Sequence, residues 1–105
     1  MDIIDDSVEI RVKRGVELLD YAMPDWWLSV ARLDMAFSDK CVLGQLKKSY
    51  AAGLHWLGLD HGYEYGFGAN PSLELGMMEQ YRILTSIWRK HIRDRLLTSG
   101  TRALP

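Results

Sequence analysis

The side chain with the most reactive functional group lies in the middle of the sequence. Cys41 is the only cysteine in the chain, and a thiol at a helix start, with Lys40 beside it, can have a lowered pKa and act as a nucleophile. Cysteine also behaves as a small apolar residue that is commonly buried. Its neighbours Val42 and Leu43 favour burial, so we expect a core cysteine. An enzyme with a reactive Cys41 remains the alternative.

Metal binding and hydrolysis need groups at defined spacing. Cys41, His55, His61 and His91 are the soft metal ligands of this chain, and none forms a close pair of the CxxC or HxxxH kind. Asp60 and His61 are adjacent, which does not direct the carboxylate at the imidazole ring, and no Gly-x-Ser-x-Gly motif is present. We therefore expect no metal, no cofactor and no catalytic residue.

A glycine-rich segment, HGYEYGFGANPS, precedes the last predicted helix and could be compared with a phosphate-binding loop. It lacks the lysine of such loops, and no strand precedes it, so a tight turn over the core is the simpler interpretation. The pattern leaves open whether residues 58–70 form a short helical turn or an extended loop. Tyr63, Tyr65 and Phe67 alternate here and are candidates for an interaction surface.

The basic stretch WRKHIRDR is the clearest sign of a charged partner. On a helix, Arg82, Arg89 and Arg93 lie near one face and Lys90 extends it, so the stripe could contact phosphates or an acidic protein. The simpler alternative is a solvated face, since basic residues favour helix C-termini. The formal net charge of -1 argues against a protein that coats nucleic acid by charge alone.

The pair Trp26-Trp27 raises a question of burial. Successive residues on a helix point about 100° apart, so both indoles are buried only if their element is wedged between others. An exposed tryptophan would instead be a common interface anchor. We expect both in the core and keep them as candidates for the interaction surface.

Apolar spacing predicts the elements that position these side chains. An amphipathic helix is predicted over 6–22, capped by an acidic cluster and Ser7, and a short second helix over 24–32. Residues 33–38 lack a clear period and are predicted to form a connector that buries three side chains. These inward residues are Val8, Val12, Val16 and Leu19, then Trp26, Trp27 and Val30, then Leu33, Met35 and Phe37.

Two longer helices are predicted in the second half. The first begins at Ser38 or Asp39 and follows a four-residue spacing, with close packing at Gly44 and a break allowed at Gly53. The last helix begins at Asn70-Pro71, where Asn is a cap and Pro suits the first turn, and ends near residues 97–98 before Ser99-Gly100. Its inward stripe is Met77, Tyr81, Leu84, Trp88, His91 or Ile92, and Leu96.

These elements predict an all-α fold: one domain over residues 1–105, with three or four helices, a core over about 6–98 and loose termini. Hydrophobic residues make up 48% of the chain and include four tryptophans, enough for an aromatic core without disulfides. The start MDIIDDSVEI lacks the features of a signal peptide, and no apolar run reaches the length of a membrane helix. We expect a cytoplasmic protein without a membrane partner.

Charge is distributed unevenly along the chain. Residues 1–39 carry nine acids and four bases, and residues 40–105 carry five acids and nine bases. The two parts could attract each other within one fold or in a head-to-tail pair, and scattered surface charge is the simpler interpretation.

A Trp-Trp pair, CVLGQL, a Gly-Leu and Leu-Gly-Leu run, Gly-Phe, and a final Leu-Thr…Trp-Arg helix occur together over about residues 11–95. This combination resembles a group of small proteins encoded by actinobacterial phages and prophages. It departs at Lys47-Lys48 and at Ile87. It implies a phage origin and a cytoplasmic setting, and it brings no activity. The motif residues are Arg14-Gly15, Leu18 to Asp20, Trp26-Trp27, Cys41 to Leu46, Tyr50, Gly53-Leu54, Leu57 to Leu59, Gly66-Phe67, Leu84-Thr85 and Trp88-Arg89.

The first functional hypothesis is a non-enzymatic interaction protein that acts on a host or phage protein, with self-association through the same surfaces as an equal structural possibility. The second is nucleic-acid binding through the basic last helix. The candidate interaction residues are Trp26, Trp27, Tyr63, Tyr65, Phe67, Arg82, Arg89, Lys90 and Arg93.

Overall fold

The computed structural model describes residues 7–103, with side chains for residues 7–98. Within this range the chain forms four α-helices, α1 (Val8–Ala22), α2 (Val42–Lys47), α3 (Tyr50–Leu57) and α4 (Met77–Ala103). Two 3₁₀ turns cover Trp26–Ser29 and Tyr63–Tyr65. The predicted all-α class with three or four helices is therefore confirmed. No helix among the described residues is long and apolar enough to cross a membrane.

Helix α1 follows the prediction closely. The Ser7 hydroxyl accepts a hydrogen bond from the backbone N–H of Ile10 at 3.2 Å and caps the helix. Asp5 and Asp6, the acidic part of the predicted cap, lie outside the described residues. The apolar stripe of α1 faces the core through Val12, Val16 and Leu19.

The predicted helix over 24–32 is wrong: the helical part is limited to a single 3₁₀ turn, Trp26–Ser29. Asp25 has a φ of 67°, a left-handed conformation that prevents a right-handed helix from running through it. The inward positions are nevertheless correct: Trp26, Trp27 and Val30 are buried. Burial here depends on how the turn is wedged between other elements rather than on helical periodicity.

The connector before α2 buries two of its three predicted side chains, Leu33 and Met35, whereas Phe37 is 51% exposed. Residues 34–37 close a turn, in which the N–H of Phe37 donates to the carbonyl of Asp34 at 3.3 Å. This turn directs the aromatic ring outward, where the Lys40 ammonium lies 5.0 Å from the ring centroid. The predicted burial of Phe37 is therefore wrong.

The central helix is interrupted at a place the apolar pattern does not show. The helix ends before Lys48, which has a φ of 81°. The Ser49 hydroxyl then accepts a hydrogen bond from the N–H of Ala52 and caps α3. Gly53 is not the break, because it lies buried inside α3. The predicted close packing at Gly44 is confirmed, since a Cβ there would collide with the carbonyl of Ser38.

Within residues 58–70, Tyr63–Tyr65 form a short 3₁₀ turn, which is one of the two outcomes that the sequence leaves open, and this turn packs against α1. The predicted start of the last helix at Asn70 is wrong, because α4 begins at Met77. The side-chain amide of Gln80 donates to the carbonyls of Asn70 at 3.0 Å and Leu75 at 2.9 Å. Its oxygen accepts from the N–H of Asn70 at 2.7 Å, so this buried glutamine holds residues 70–76 in a non-helical loop.

The predicted end of the last helix near residues 97–98 is also wrong, because α4 continues through Ser99-Gly100 to Ala103. A glycine costs a helix only about 1 kcal/mol, and the next proline comes at residue 105. With 27 residues, α4 is roughly 40 Å long. The other elements cover only its middle, so Met77 and Leu96 are exposed although the stripe predicts them inward.

Trp88 of α4 occupies the centre of the aromatic core. Its ring meets that of Trp26 edge to face at 5.7 Å and stacks on Phe67 at 5.5 Å. Its indole N–H donates to the carbonyl of Gly66 at 2.6 Å, so the glycine-rich turn is joined to the last helix. The predicted inward positions Leu84, Trp88 and Ile92 are confirmed.

Candidate functional site: a basic groove along helix α4

The four basic residues predicted to share a face of the last helix line one surface groove. Arg82, Arg89, Lys90 and Arg93 are all exposed and border a groove of about 860 Å³, hereafter the basic groove. Asp34, Ala36 and Phe37 of the connector also line it. Arg82, Arg89 and Arg93 are seven and four positions apart, which places them on one side of a helix.

Two of the four cations are paired within α4. Arg82 forms an ion pair with Glu79, and this hydrogen-bonded contact lowers the pKa of Glu79 and raises that of Arg82. The Lys90 ammonium lies 3.5 Å from a carboxylate oxygen of Asp94. Both pairs are exposed, so solvent screens them and a partner can compete for their cations.

The other two cations are not neutralised. Arg89 donates from Nη2 to the backbone carbonyl of Leu33 at 2.8 Å, which anchors the connector to α4 without cancelling the charge. Arg93 has no ion pair or side-chain hydrogen bond with any described residue. These two guanidinium groups supply the uncompensated positive charge of the groove.

Three carboxylates, on Glu9, Asp34 and Glu79, also line the basic groove. Against the four cations they leave a small positive excess rather than a continuous positive surface. Such a mixed lining favours a partner with acids at particular places over a partner with uniform negative charge.

Apolar side chains complete the groove, and two of them are strongly exposed. Met78 is 72% exposed and Phe37 is 51% exposed, and both border the basic groove. Tyr81 and Ile87 also line it and are partly buried. Sequence reasoning missed Met78 and placed Phe37 in the core. The doublet Met77-Met78 was the available signal, because two adjacent residues cannot both point inward from one helix.

A smaller cavity of about 250 Å³ lies beside the basic groove. The two share lining from Ala36, Phe37 and Tyr81, so the half-exposed phenylalanine stands between them. The remainder of the cavity lining is mainly apolar and includes Met35, Phe67, Tyr50 and Cys41. Burial raises the pKa of the Tyr50 hydroxyl, a group that is already uncharged at neutral pH.

Cys41 is buried, as the sequence predicts, and it serves as the N-cap of α2. Its sulfur accepts from the N–H of Gly44 at 3.3 Å, and the thiol donates to the carbonyl of Ser38 at 3.5 Å. Burial raises the pKa of the thiol and outweighs the opposing effect of the backbone N–H groups of Gly44, Leu43 and Cys41. The proposed lowering of this pKa by the helix start is therefore wrong.

The aromatic candidates do not join the basic groove. Trp26, Trp27 and Phe67 are buried in the core, so the suggestion that they form a contact surface is corrected. Tyr63 and Tyr65 are partly buried in the second 3₁₀ turn, against α1. The structure thus brings the basic candidates together and separates them from four of the aromatic ones, whereas Phe67 lines the adjoining cavity.

The histidines are dispersed. The ring of His61 stacks on that of Tyr63 at 4.4 Å, and His55 is exposed on α3. Within the part of the chain that the structure describes, no three His, Cys, Asp or Glu side chains are grouped as a metal site would require.

One charged side chain of α1 is buried. Arg11 is 6% exposed, and its Nη1 donates to the carbonyl of Tyr63 at 3.4 Å. Its Nε atom has no hydrogen-bond partner among the described residues. Arg11 therefore ties the glycine-rich turn to α1 at an energetic cost.

Comparisons with known proteins add no relative: no family model, curated protein or solved structure matches the chain. The assignment of a function therefore depends on the geometry of the basic groove.

Proposed function

We propose that this protein is a non-enzymatic protein–protein interaction module whose contact face is the basic groove of α4. The observation that supports this most directly is that one groove carries both the exposed Met78 and the uncompensated Arg93, which lie 15 positions apart on α4. Methionine, aromatic residues and arginine are enriched at protein interfaces, and flexible methionine side chains adapt to the shape of a partner. Phe37 supplies the aromatic contribution on the facing wall.

The loop before α4 extends this apolar surface. Leu73, Leu75, Met77 and Met78 are all substantially exposed within a few residues of each other. Their backbone is fixed by the three hydrogen bonds of Gln80. A preorganised loop loses less conformational entropy on binding, which favours affinity.

The phage origin implied by the sequence resemblance would make the natural partner a host or phage protein in the cytoplasm. Self-association through the same face is a second outcome of the same chemistry.

Site-specific cross-linking tests the proposal in the cell that produces the protein. A photoreactive amino acid at position 78 should cross-link one protein reproducibly, while the same group at Leu28 should not. Leu28 is a suitable control because it is 61% exposed and does not line the groove.

The cross-linked protein is then purified, and its affinity for the wild-type chain and for two variants is measured by calorimetry. Met78→Ser should weaken binding about tenfold, and Leu28→Ser by less than about twofold. Absence of an adduct specific to position 78, or equal loss in the two variants, would count against the proposal.

Nucleic-acid binding is the second candidate, supported by the four cations on one face of α4. If it holds, affinity for a labelled duplex should fall steeply with salt and decrease in the double variant Arg89→Ala, Arg93→Ala. The three carboxylates of the groove oppose this candidate, because a phosphate backbone presents negative charge without interruption.

A further inference from the structure

We infer that the segment recognised by the basic groove is an acidic amphipathic helix with an apolar anchor that enters the cavity beside Phe37. This inference rests on the proposed function and adds the chemistry of the partner. Three observations support it independently: the spacing of the cations, the mixed lining of the groove, and the adjoining cavity.

The spacing of the cations selects a helix. Arg82, Arg89 and Arg93 are separated along α4 by roughly 10 Å and then 6 Å, at about 1.5 Å per residue. A partner helix lying along α4 with acids at positions i, i+7 and i+11, or the reverse order, presents carboxylates at the same spacing and on one face. The partner then matches the charge pattern residue by residue.

An extended strand does not match this pattern. At about 3.3 Å per residue, the same distances correspond to steps of three residues and two residues. Successive side chains of a strand point to opposite faces, so the odd step turns one acid away from α4. A helix is therefore the conformation that can use all three guanidinium groups.

The lining of the groove selects an acidic protein segment over a nucleic acid. Arg93 has no partner among the described residues, and Arg89 contacts only a carbonyl, so both can accept a carboxylate. Glu9 and Asp34 would repel a continuous row of phosphates. Met78 and Phe37 bury apolar side chains of an amphipathic helix, for which a phosphate backbone offers no counterpart.

The adjoining cavity supplies the place for an anchor residue. Its volume of about 250 Å³ and its mainly apolar lining suit one leucine, methionine or phenylalanine side chain. Phe37 and Tyr81 border both spaces, so a helix in the groove can insert a side chain beside them. Met35 and Phe67, both buried, line the cavity farther in.

The probe for the test is a fluorescein-labelled helical peptide with glutamates at relative positions i, i+7 and i+11 and a leucine and phenylalanine stripe on the same face. A second peptide has lysines in place of the glutamates. Anisotropy titrations at low and high salt measure binding to the full chain. The glutamate peptide should bind at least about tenfold more tightly, and its affinity should fall as salt rises.

Two variants with the same change of charge locate the contact. Arg93→Glu should weaken the glutamate peptide at least about tenfold, whereas Lys13→Glu, on the exposed side of α1 and outside the groove, should change it less than about twofold. For the anchor, Phe37→Ala should weaken binding about fivefold, and Leu28→Ala should leave it unchanged. Thermal unfolding of each variant verifies that the fold is intact.

The inference is overturned if the two peptides bind equally at concentrations up to about 1 mM, or if Arg93→Glu and Lys13→Glu have equal effects. It is also overturned if the duplex binds the groove more tightly than the glutamate peptide, or if only self-association depends on Arg93. A protein cross-linked at position 78 through a neutral or basic segment would refute the acidic helix and leave the proposed function intact. If position 78 gives no specific adduct and the glutamate peptide also shows no selective binding, both the acidic helix and the proposed function are refuted.

Discussion

Asp20 is the residue through which the first and last helices are joined. Its carboxylate accepts from Nη1 and Nη2 of Arg95 at 2.8 and 2.7 Å, and from the indole N–H of Trp26 at 3.0 Å. The hydrogen bonds from Arg95 lower the pKa of Asp20. Because the Trp26 side chain is fully buried, its N–H depends on this acceptor.

The free energy of unfolding in urea, measured for three variants, distinguishes the contribution of the Asp20–Arg95 ion pair from that of the Asp20–Trp26 hydrogen bond. Arg95→Met should cost about 1 kcal/mol, because both side chains of the ion pair are more than a third exposed and solvent screens their attraction. Asp20→Ala should cost about 2–3 kcal/mol, since it also leaves the buried N–H of Trp26 without an acceptor. Asp20→Asn should fall between them. Equal costs for Asp20→Ala and Arg95→Met would show that the Trp26 contact contributes nothing.

Cys41 should resist a thiol reagent until the protein unfolds. The thiol is buried and has a raised pKa, so little thiolate is present or accessible at neutral pH. Absorbance of Ellman's reagent should rise slowly with native protein and quickly in urea. A Cys41→Ala, Ser29→Cys variant provides an exposed thiol that should react in the native state. Rapid native labelling of Cys41 would contradict this prediction and support an enzyme with a cysteine nucleophile.

At the level of elements, a helix is predicted correctly where its cap and its apolar spacing agree, whereas a cap or stop signal alone, such as Asn70-Pro71 or Ser99-Gly100, is not sufficient. The Ser7 cap and the valine spacing of α1 act within a few residues, so the sequence alone predicts that helix. The start of α4 depends on Gln80, which bonds Asn70 ten positions away, and no periodicity shows that contact. The break at Lys48 is hidden because the four-residue apolar spacing continues unchanged across it.

The same difference between local and non-local contacts explains which parts of the candidate site the sequence predicts. The basic face of α4 could be predicted, because helical spacing alone brings Arg82, Arg89 and Arg93 together. Its apolar wall could not, because the exposure of Phe37 depends on a turn in a different part of the chain.

Gly53 is predicted to be required for the packing of α3 on α2. An added Cβ would lie 2.5 Å from the Cβ of Leu43, closer than side chains approach each other. Gly53→Ala should therefore destabilise the protein by about 1–2 kcal/mol, although alanine favours a helix by about 1 kcal/mol. Ala52→Gly, at an exposed position of the same helix, measures the propensity alone and should cost about 1 kcal/mol. A more stable Gly53→Ala variant would mean that the two helices can separate freely.

For the whole molecule, the acidic first part and the basic second part of the chain attract each other within one fold. The acidic first part and the basic second part meet at Asp20 and Arg95, which are 75 positions apart. The connector and α4 meet again where Arg89 holds the carbonyl of Leu33. Asp20 and Arg95 therefore neutralise each other within the fold, and a small positive excess remains along the basic groove.

Acid should weaken the folded state, because two titrating groups act in the same direction. The pKa of His91 is lowered by burial and by Lys90, against the weaker opposing effect of Asp94 and Glu9. The unfolded chain binds a proton at His91 near pH 6.5, so the contribution of this residue is full above that pH. It is lost as pH falls through the lowered pKa of the folded state. Asp20, whose pKa is also lowered, contributes fully above about pH 4 and loses its effect at still lower pH.

Thermal unfolding followed by circular dichroism from pH 8 to pH 3 should therefore show a Tm that falls in two stages. His91→Gln should remove the upper stage, because glutamine does not titrate, and Asp20→Asn should reduce the lower stage while leaving the upper one in place. Each variant is the control for the other, since the ordinary pKa values of a histidine and an aspartate differ by about 2.6. A wild-type Tm that stays constant or rises between pH 7 and pH 5 would contradict the His91 assignment. An unchanged lower stage in Asp20→Asn would mean that other carboxylates, among them Glu79 with its lowered pKa, determine the acid limit of the fold.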